Sequence, residues 1–386
     1  RTSHSAIMAR SMGIPAIVGA GEKADEIADG DLLLIDGAAG EVVAQPDEQT
    51  LADFAERQKA DAAHRAMLAQ YKDKEGATSD GRRVIIEGNI GTPDDAVRVA
   101  ELGGEGVGLF RSEFLFMDRT DLPSEEEQFA AYKKACEIMQ GKPVIIRTLD
   151  IGGDKEVPAL ALEKEQNPFL GYRAIRICLN QPELFLIQLR ALLRAAQYGD
   201  LRIMFPMISS VDEVRGAKQV LEQAKDMLTA EGVPFNPNVK VGIMVEIPVA
   251  AVCADVLAKE VDFFSIGTND LIQYSCAVDR INEKISYLYR PLHPGVLRLI
   301  AMTAKAANEN GIEVGVCGEM AGTAGMAPVL CGLGVTNLSM SASAMLVAKA
   351  DLAKHSCGEC KELADKLLAC ASASDAERIF ADWRES

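Results

Sequence analysis

From residue 84 to the end of the chain, short apolar runs alternate with longer segments in which apolar residues recur at helical spacing. Such runs are typical of buried strands, and the longer segments are typical of amphipathic helices. The runs predict eight strands, over residues 84–90, 106–110, 144–150, 201–207, 241–246, 263–267, 313–317 and 337–340. The spacing predicts helices over residues 94–102, 124–139, 182–198, 211–231, 249–259 and 294–310.

Capping signals support these helices. Ser124 and Glu127 fit a capping box, and Gly232 and Gly311 stand where helix C-terminal glycines belong. Eight alternations of strand and helix over about 300 residues fit the α/β class and a (β/α)8 TIM barrel. An open, doubly wound sheet is the alternative, but that architecture usually has fewer strands.

The N-terminal fifth of the chain has a different pattern. Residues 1–45 contain a helix-like stretch and short β-type runs bounded by Gly and Asp, which predict part of a small α/β domain. From residue 48 to about residue 76, the sequence is rich in Ala, Glu and Lys, and apolar residues recur at helical spacing. This pattern predicts a helix of about 28 residues and a length of roughly 42 Å. We therefore predict three parts: a partial α/β domain over 1–45, a linker helix over 46–77 and the barrel over 78–386.

Composition excludes several classes of protein. The chain has 40 Lys+Arg and 57 Asp+Glu, a net charge of −17, and no basic stripe, so we expect no nucleic-acid partner. No apolar run approaches the roughly 18 residues that a membrane helix needs, so we expect no membrane insertion. The first residues lack the apolar stretch of a signal peptide, and this predicts a cytoplasmic protein.

Cysteine usage agrees with a reducing compartment. The nine cysteines are odd in number and scattered through apolar segments, as reduced core thiols are. The pair Cys357 and Cys360 forms a CxxC motif that could bind a metal or act in redox chemistry. No second Cys/His pair at zinc spacing stands nearby except His355, so plain reduced thiols remain the alternative.

Acidic residues follow two neighbouring strands of the predicted barrel. A TIM barrel has its active site at the ends where the strands finish, and Glu246 and Asp270 lie there on consecutive strands. Mg²⁺ commonly takes one or two carboxylates plus substrate oxygens and water, which this pair would supply. The alternative is two solvated or salt-bridged acids on the rim.

Arginines are predicted at the same rim. Arg111, Arg147, Arg173 and Arg280 all follow or end predicted strands, and guanidinium groups bind phosphate and carboxylate through paired hydrogen bonds. Each alone could be a surface ion pair, for example Arg111 with Glu113. Four together in a chain of net charge −17 indicate a small, strongly anionic ligand held by arginines and metal.

Two further residues carry candidate chemistry. Cys317 ends a predicted strand, and a thiol of ordinary pKa about 8.5 stays protonated at neutral pH, so it can donate a proton or act as a nucleophile. A small core residue is the alternative. His4 lies among Thr2, Ser3 and Ser5 and could accept a phosphoryl group, although a helix cap with an incidental histidine explains the same residues. The sequence has no Walker-type GxxxxGK[ST] motif.

Several longer motifs resemble a known family. Residues 1–5 (RTSHS) and 8–19 (MARSMGIPAIVG) resemble the phosphohistidine segment of the phosphoenolpyruvate-utilising enzymes. Five further segments resemble enzyme I of the bacterial phosphoenolpyruvate:sugar phosphotransferase system, namely GVGLFRSEFLF (106–116), DIGGDK (150–155), NPFLG (167–171), FFSIGTNDL (263–271) and CGEMAG (317–322). The resemblance covers nearly the whole chain.

The resemblance implies Mg²⁺-dependent transfer of the phosphoryl group of phosphoenolpyruvate to a histidine, with release of pyruvate and onward transfer to the phosphocarrier HPr. Its residue roles carry over as follows: His4 as the phosphoryl acceptor; Arg111, Arg147, Arg173 and Arg280 as ligands of phosphoenolpyruvate; Glu246 and Asp270 as magnesium ligands; Asn269 as a contact of the substrate phosphate; Cys317 as the acid that protonates the enolate. The family also implies a homodimer formed through the barrel.

The sequence departs from the family at two places. Ile281 stands where enzyme I usually has Gly, and the tail 357–386 is unusually rich in Cys, which indicates the enzyme I module of a fused multiphosphoryl transfer protein as a variant. The chain begins without Met inside the histidine motif, so we expect a fragment that lacks the docking subdomain for HPr. Two alternatives to enzyme I remain: pyruvate phosphate dikinase or phosphoenolpyruvate synthase, which also need an ATP-binding domain, and a non-catalytic module that senses phosphoenolpyruvate.

Overall fold

A computed structural model describes residues 14–21, 24, 26–37, 39–117, 119–153, 157–160 and 162–385. The chain divides into two compact units, Arg1–Asp73 and Lys74–Ser386. The prediction of three parts, with boundaries near residues 45 and 77, is a finer division that stays a prediction.

The first unit contains a hairpin and a helix. Strands β1 (Leu33–Asp36) and β2 (Glu41–Ala44) pair antiparallel, and helix α1 spans Glu48–Ala69, where Asp47 caps the first turn by accepting from the amide of Thr50. The helix has 22 residues, about 33 Å, and is shorter than predicted.

The predicted helix ran to about residue 76, but residues from Lys74 onward belong to the second unit. The amide of Gly76 donates to Oε1 of Glu105, and Ala77 bridges Arg83 in antiparallel fashion. The backbone groups that a longer helix would use are therefore bonded to the barrel instead.

The second unit is a closed barrel of eight parallel strands, which confirms the predicted TIM barrel. Its strands are β3 (Ile85–Ile90), β4 (Val107–Arg111), β5 (Val144–Arg147), β6 (Leu201–Phe205), β7 (Lys240–Val245), β8 (Phe263–Ile266), β9 (Glu313–Val316) and β10 (Asn337–Met340). Each strand pairs with the next in sequence, and β10 closes the barrel on β3. The barrel interior holds a layer of buried side chains from Leu109, Ile145, Met204, Met244, Phe263 and Cys317.

Helices surround the strands. In the described part of this unit they are α2 (Asp95–Glu101), α3 (Glu125–Met139), α4 (Ile175–Asn180), α5 (Pro182–Ala195), α6 (Val211–Ala230), α7 (Pro248–Val252), α8 (Ala254–Leu257), α9 (Thr268–Cys276), α10 (Pro294–Asn310), α11 (Met326–Gly332), α12 (Met345–Lys354), α13 (Cys357–Leu368) and α14 (Ala373–Glu385). Both halves of the capping box at Ser124 and Glu127 are present, and Gly311 adopts a left-handed φ of 69° at the end of α10. The single helix predicted over 249–259 is two short helices that break at Cys253.

Two observations bear on compartment. Among the described residues, no helix is both long enough and apolar enough to cross a bilayer. All nine cysteines are free thiols. The cytoplasmic location itself stays a prediction.

Candidate active site

The C-terminal ends of the barrel strands carry the predicted polar residues. Arg111 ends β4 and Arg147 ends β5, and the two are register partners on adjacent strands. Glu246 follows β7 directly, and Cys317 follows β9 directly. The remaining residues lie on the segments that leave the strand ends, with Arg173 before α4, Asn269 and Asp270 in the first turn of α9, and Arg280 in the loop after α9.

Three of the predicted arginines and one predicted acid belong to a single network of alternating charge. Arg147 contacts Glu113 at 2.5 Å and Asp150 at 2.8 Å. Asp150 also contacts Arg173 at 2.9 Å. Because all four side chains are buried, each guanidinium group depends on these carboxylates to offset the loss of hydration.

The network continues to the neighbouring strand ends. Nη2 of Arg173 lies 3.5 Å from Oδ2 of Asp270, and Nη1 of Arg280 lies 3.5 Å from Oδ1 of the same carboxylate. The acids next to Arg147 and Arg173 raise the pKa of both guanidinium groups against the opposing effect of burial. Arg147 and Arg173 therefore stay charged at any physiological pH.

Arg111 differs from the other three arginines. It makes no hydrogen bond or ion pair with the residues that the structure describes, and its Nε is buried without a partner. Its guanidinium lies over the ring of Phe114, 5.0 Å from the centroid. Burial lowers the pKa of Arg111, and the nearby charge of Glu113 opposes that effect. A half-buried cation that has no ion pair among the described residues is suited to bind an anion.

Glu246 is a strongly perturbed carboxyl at the mouth of the barrel, the end formed by the C-terminal ends of the strands. It is 1% exposed, and its Oε1 accepts from the amide of Met207 at 2.6 Å. Met207 has a positive φ of 55°, an uncommon conformation for a side-chain-bearing residue, which turns the amide toward Glu246. Burial, then the negative charge of Asp270, raises the pKa of Glu246 to about 8. A buried acid whose pKa is raised by a neighbouring carboxylate marks a favourable place for a cation.

Cys317 lies among these groups. The thiol is 4% exposed and donates a weak hydrogen bond to the carbonyl of Ile266 at 3.7 Å. Burial raises its pKa to about 11, while the charge of Arg147 lowers it and that of Glu246 raises it. At neutral pH the side chain is therefore a thiol and not a thiolate.

Glycines allow the loops after β8 and β9 to approach each other. A Cβ on Gly318 would lie 1.9 Å from Oγ1 of Thr268, and a Cβ on Gly267 would lie 2.9 Å from Oε2 of Glu246. Across the same contact, the amide of Glu319 donates to Oδ1 of Asn269 at 3.1 Å. Asn269 is therefore held by the backbone next to Cys317.

The described residues contain no group of three or more His, Cys, Asp or Glu side chains arranged to hold a metal. Glu246 and Asp270 would supply two ligands, and Oδ1 of Asp270 is buried with no hydrogen-bond partner. Mg²⁺ typically takes this number of carboxylates and completes its shell with substrate and water oxygens. The donor set therefore fits Mg²⁺ only as an ion shared with a bound anion.

Eight of the nine site residues predicted from the sequence lie at one end of the barrel, and seven of them share charge or hydrogen-bond interactions with others of the set. His4 lies outside the described residues. The roles assigned to all nine stay predictions. The alternative pairing of Arg111 with Glu113 is wrong, because Glu113 is buried and pairs with Arg147.

Three residues of this network were not singled out as site residues from the sequence. Glu113 and Asp150 hold Arg147, and Tyr274 accepts from Nη1 of Arg173 at 3.0 Å while donating to the carbonyl of Phe169. Asp150 could have been found, because it is a charged residue directly after an apolar strand. Nothing in the sequence marks Tyr274, which lies on a helix that sequence reasoning did not predict.

Comparison with known proteins gives two family matches. Residues 65–357 match the family model described as PEP-utilising enzyme, PEP-binding domain. Residues 1–40 match the model described as PEP-utilising enzyme, mobile domain.

Curated relatives match along the whole chain. The phosphoenolpyruvate-protein phosphotransferase of Priestia megaterium is 52% identical over 97% of this chain and 65% of its own length. Those of Bacillus subtilis (strain 168) and Staphylococcus carnosus (strain TM300) are 51% and 48% identical, each over 100% of this chain and 67% of its own length. The chain thus spans about two thirds of the length of these relatives.

Proposed function

The chain belongs to the family of PEP-utilising enzymes, and from that premise we propose that it transfers the phosphoryl group of phosphoenolpyruvate to His4 and releases pyruvate. The phosphoryl group then passes to the phosphocarrier HPr, as the first step of sugar uptake by a phosphotransferase system. The name of these relatives, phosphoenolpyruvate-protein phosphotransferase, supports this choice over a dikinase or a sensor module.

One observation carries the proposal: four arginines surround a strand-end mouth in a chain of net charge −17, and one of them, Arg111, has no counter-ion among the described residues. Phosphoenolpyruvate carries a phosphate and a carboxylate on three carbons. A mouth of this charge attracts such an anion and rejects neutral sugars.

Arg111 would bind the anion first, because its guanidinium has no carboxylate to release. Arg147 and Arg173 are already oriented by Glu113 and Asp150, so they require little rearrangement when the ligand arrives. Asn269 is held by the amide of Glu319 and offers its amide nitrogen to a phosphate oxygen.

Glu246 and Asp270 would hold Mg²⁺, which supplies positive charge to the phosphoryl oxygens during transfer. The fit rests on the raised pKa of Glu246 and on the unbonded Oδ1 of Asp270. In the transfer itself, the His4 nitrogen forms a bond to phosphorus as the bond from phosphorus to the enolate oxygen breaks.

Cys317 would then protonate the enolate carbon to give pyruvate. The thiol keeps its proton at neutral pH, since burial raises its pKa to about 11. We expect Cys317→Ala to bind phosphoenolpyruvate normally but to form pyruvate about 10²- to 10⁴-fold more slowly, as for loss of a general acid. Unchanged turnover would remove Cys317 from the mechanism.

Calorimetric titration with phosphoenolpyruvate in the presence of Mg²⁺ tests the site directly. We expect Arg111→Gln to weaken binding about 10- to 100-fold, the loss of a hydrogen-bonded charge contact. Arg98→Gln is the matched control, because that arginine is 59% exposed and, among the described residues, pairs only with Glu101 on the same helix turn. Equal affinity of the Arg111 variant and the control would refute the anion site.

Labelling tests the acceptor. Incubation with ³²P-phosphoenolpyruvate and Mg²⁺ is expected to give an acid-labile adduct at His4, and His4→Ala removes it. Label at another residue contradicts the assignment of the acceptor. Label on His4 that depends on ATP would instead favour the dikinase class.

We also propose that the chain forms a homodimer through the barrel. Valines of the two short helices α7 and α8 support this, because Val249, Val252 and Val256 are 46%, 56% and 43% exposed. Sedimentation of the chain and of Val252→Asp tests it: a monomer in both cases would contradict a dimer, and a dimer in both would place the interface elsewhere.

A further inference from the structure

Three cysteines meet at the end of the barrel opposite the candidate active site. Cys331 lies in α11, Cys357 begins α13, and Cys360 follows one turn later. A surface cavity of about 440 Å³ is lined by Arg82, Asn308, Cys331, Leu333, Cys357 and Lys361. Arg82 precedes β3 and Leu333 precedes β10, so this cavity is at the N-terminal ends of the strands. The proposed phosphoryl chemistry uses none of these residues.

Helices α11 and α13 are in close contact at this point. A Cβ on Gly332 would lie 2.0 Å from the carbonyl oxygen of Cys360 and 2.9 Å from Cβ of Ala364. Gly332 therefore allows a backbone approach that no other residue would permit. Cys331, the residue before it, therefore lies on the part of α11 that packs against Cys360, and the charge of Cys331 acts on the Cys360 thiol. A disulfide needs Cα atoms about 4.4–6.8 Å apart, which close helix packing favours.

We propose that Cys331 and Cys360 are a reversible thiol–disulfide site that hydrogen peroxide oxidises through the cavity beside Arg82. Peroxide is small enough to enter a cavity of this volume. The described residues here do not form a metal-binding group, so a soft metal ion is not the favoured occupant.

The two thiols have different roles. The interaction with the Cys360 thiol lowers the pKa of Cys331, burial opposes this effect and the charge of Arg82 adds to it, whereas the interaction with Cys331 and burial both raise the pKa of Cys360. Cys331 is therefore the nucleophile, since the thiolate is the reactive form. Arg82 also donates to Sγ of Cys357 at 3.8 Å, which keeps this guanidinium at the cavity.

The chemistry balances in two steps. The Cys331 thiolate attacks one peroxide oxygen and breaks the O–O bond, giving a sulfenic acid and hydroxide. The negative charge on Cys331 is then gone, so Cys360 can lose its proton and attack the sulfenic sulfur. The products are the Cys331–Cys360 disulfide and water, and two thiols have been oxidised while one peroxide has been reduced.

The experiment treats the reduced chain with an equivalent of hydrogen peroxide, alkylates the remaining thiols and maps the peptides. We expect seven alkylated cysteines in place of nine, a cross-linked peptide that joins Cys331 to Cys360, and return to nine after dithiothreitol. Cys360→Ser should stop at a sulfenic acid on Cys331, about 16 Da heavier and reactive with dimedone. Cys253→Ser is the control, because this half-buried thiol lies on another part of the barrel and should not affect the cross-link.

Three results would overturn the proposal: nine alkylatable thiols after peroxide, a cross-link between Cys331 and Cys357, or loss of Cys317 before Cys331. Fluorescence of Trp383, the sole tryptophan, verifies that each variant is folded. Mapping of the unsubstituted chain decides the question even where a variant is unstable.

Discussion

Glu87 is a buried acid that the proposed chemistry does not use, and its burial sets a measurable dependence of stability on pH. It lies in β3 at 2% exposure, and its Oε1 has no hydrogen-bond partner. A Cβ on Gly106 would lie 2.9 Å from this oxygen, and a Cβ on Gly108 would lie 2.6 Å from Oε2, so two glycines of the next strand leave room for the carboxyl.

The magnitude follows from the pKa. Burial raises the pKa of Glu87 from 4.5 to about 7, with the charge of Arg202 opposing and that of Glu313 adding to the effect. Each pKa unit corresponds to about 1.4 kcal/mol, so ionised Glu87 lowers the free energy of unfolding by roughly 3 kcal/mol relative to the neutral form.

The direction of the pH dependence is that of an acid whose pKa is higher in the folded chain than in the unfolded chain. Between pH 4.5 and 7 the folded chain binds this proton more tightly than the unfolded chain does. The contribution of Glu87 is therefore fully present below pH 4.5 and is lost as the pH rises through 7. Glu87→Gln removes the titration, so the variant should match the parent near pH 4.5 and exceed its stability by about 3 kcal/mol at pH 8.5.

Urea denaturation from pH 4.5 to 8.5, followed by the fluorescence of Trp383 in α14, measures the barrel unit alone. Glu137→Gln is the control, because that side chain is 53% exposed on α3. A difference between Glu87→Gln and the parent that is the same at every pH would refute the reasoning. So would a less stable variant at pH 8.5, since it would mean that the attraction of the charge on Arg202 outweighs burial.

Two further predictions concern packing and the network. Tyr274→Phe removes the hydroxyl that accepts a hydrogen bond from Arg173. The affinity for phosphoenolpyruvate measured by calorimetry should fall about fivefold, the value of one hydrogen bond, while the midpoint of thermal unfolding changes by no more than a few degrees. Unchanged affinity would show that the contact does not contribute to binding. Gly332→Ala forces a methyl group against the carbonyl of Cys360 and should lower the free energy of unfolding by about 1–3 kcal/mol. Gly358→Ala is the control, because a Cβ there would have no atom nearer than 3.9 Å, and it should not lower the stability. Equal effects of the two changes would contradict the close approach of Gly332 to Cys360.

The strands could be predicted closely because a parallel sheet buries both faces of each strand. Every predicted strand is present, and the ends differ by at most three residues. The largest difference is at β5, which ends at Arg147 while the prediction ran to residue 150. The apolar sequence continues through Leu149, but the residues after Arg147 have already left the strand and lie at the mouth of the barrel. There Asp150 forms ion pairs with Arg147 and Arg173.

The helices were less predictable where they are short or where no capping residue marks their start. Helix α9 begins immediately after β8 and contains Asp270, and the sequence shows no capping residue between the two elements. Helix α13 is a different case, because Ser356 and Glu359 form a full capping box. That signal was present in the sequence, and it could have extended the prediction past residue 340.

The strand-end rule located the charged residues of the mouth but could not assign their partners. Arg111 and Arg147 end neighbouring strands in register, which places a half-buried cation beside a buried one. Spacing in the sequence favours the pair Arg111 and Glu113, but the chain turns into a short 3-10 helix at Ser112–Leu115 and directs Glu113 to Arg147. The ion-pair partner of a charged side chain depends on the register of the strands and on local turns. Neither can be predicted from the spacing of residues along the sequence.

That pairing has a consequence for how an anion would enter the mouth. Glu113 and Asp150 already neutralise the charge of Arg147 and fix its orientation. This arginine therefore orients a bound anion but adds little net attraction for it. Arg111 has no such partner, and its desolvated charge is the part of the mouth that gains most when an anion arrives. Electrostatic preorganisation of this kind separates the group that attracts the ligand from the groups that position it. Replacing Arg111 should therefore affect affinity first, whereas replacing Glu113 should affect the orientation of Arg147 and with it the rate of transfer.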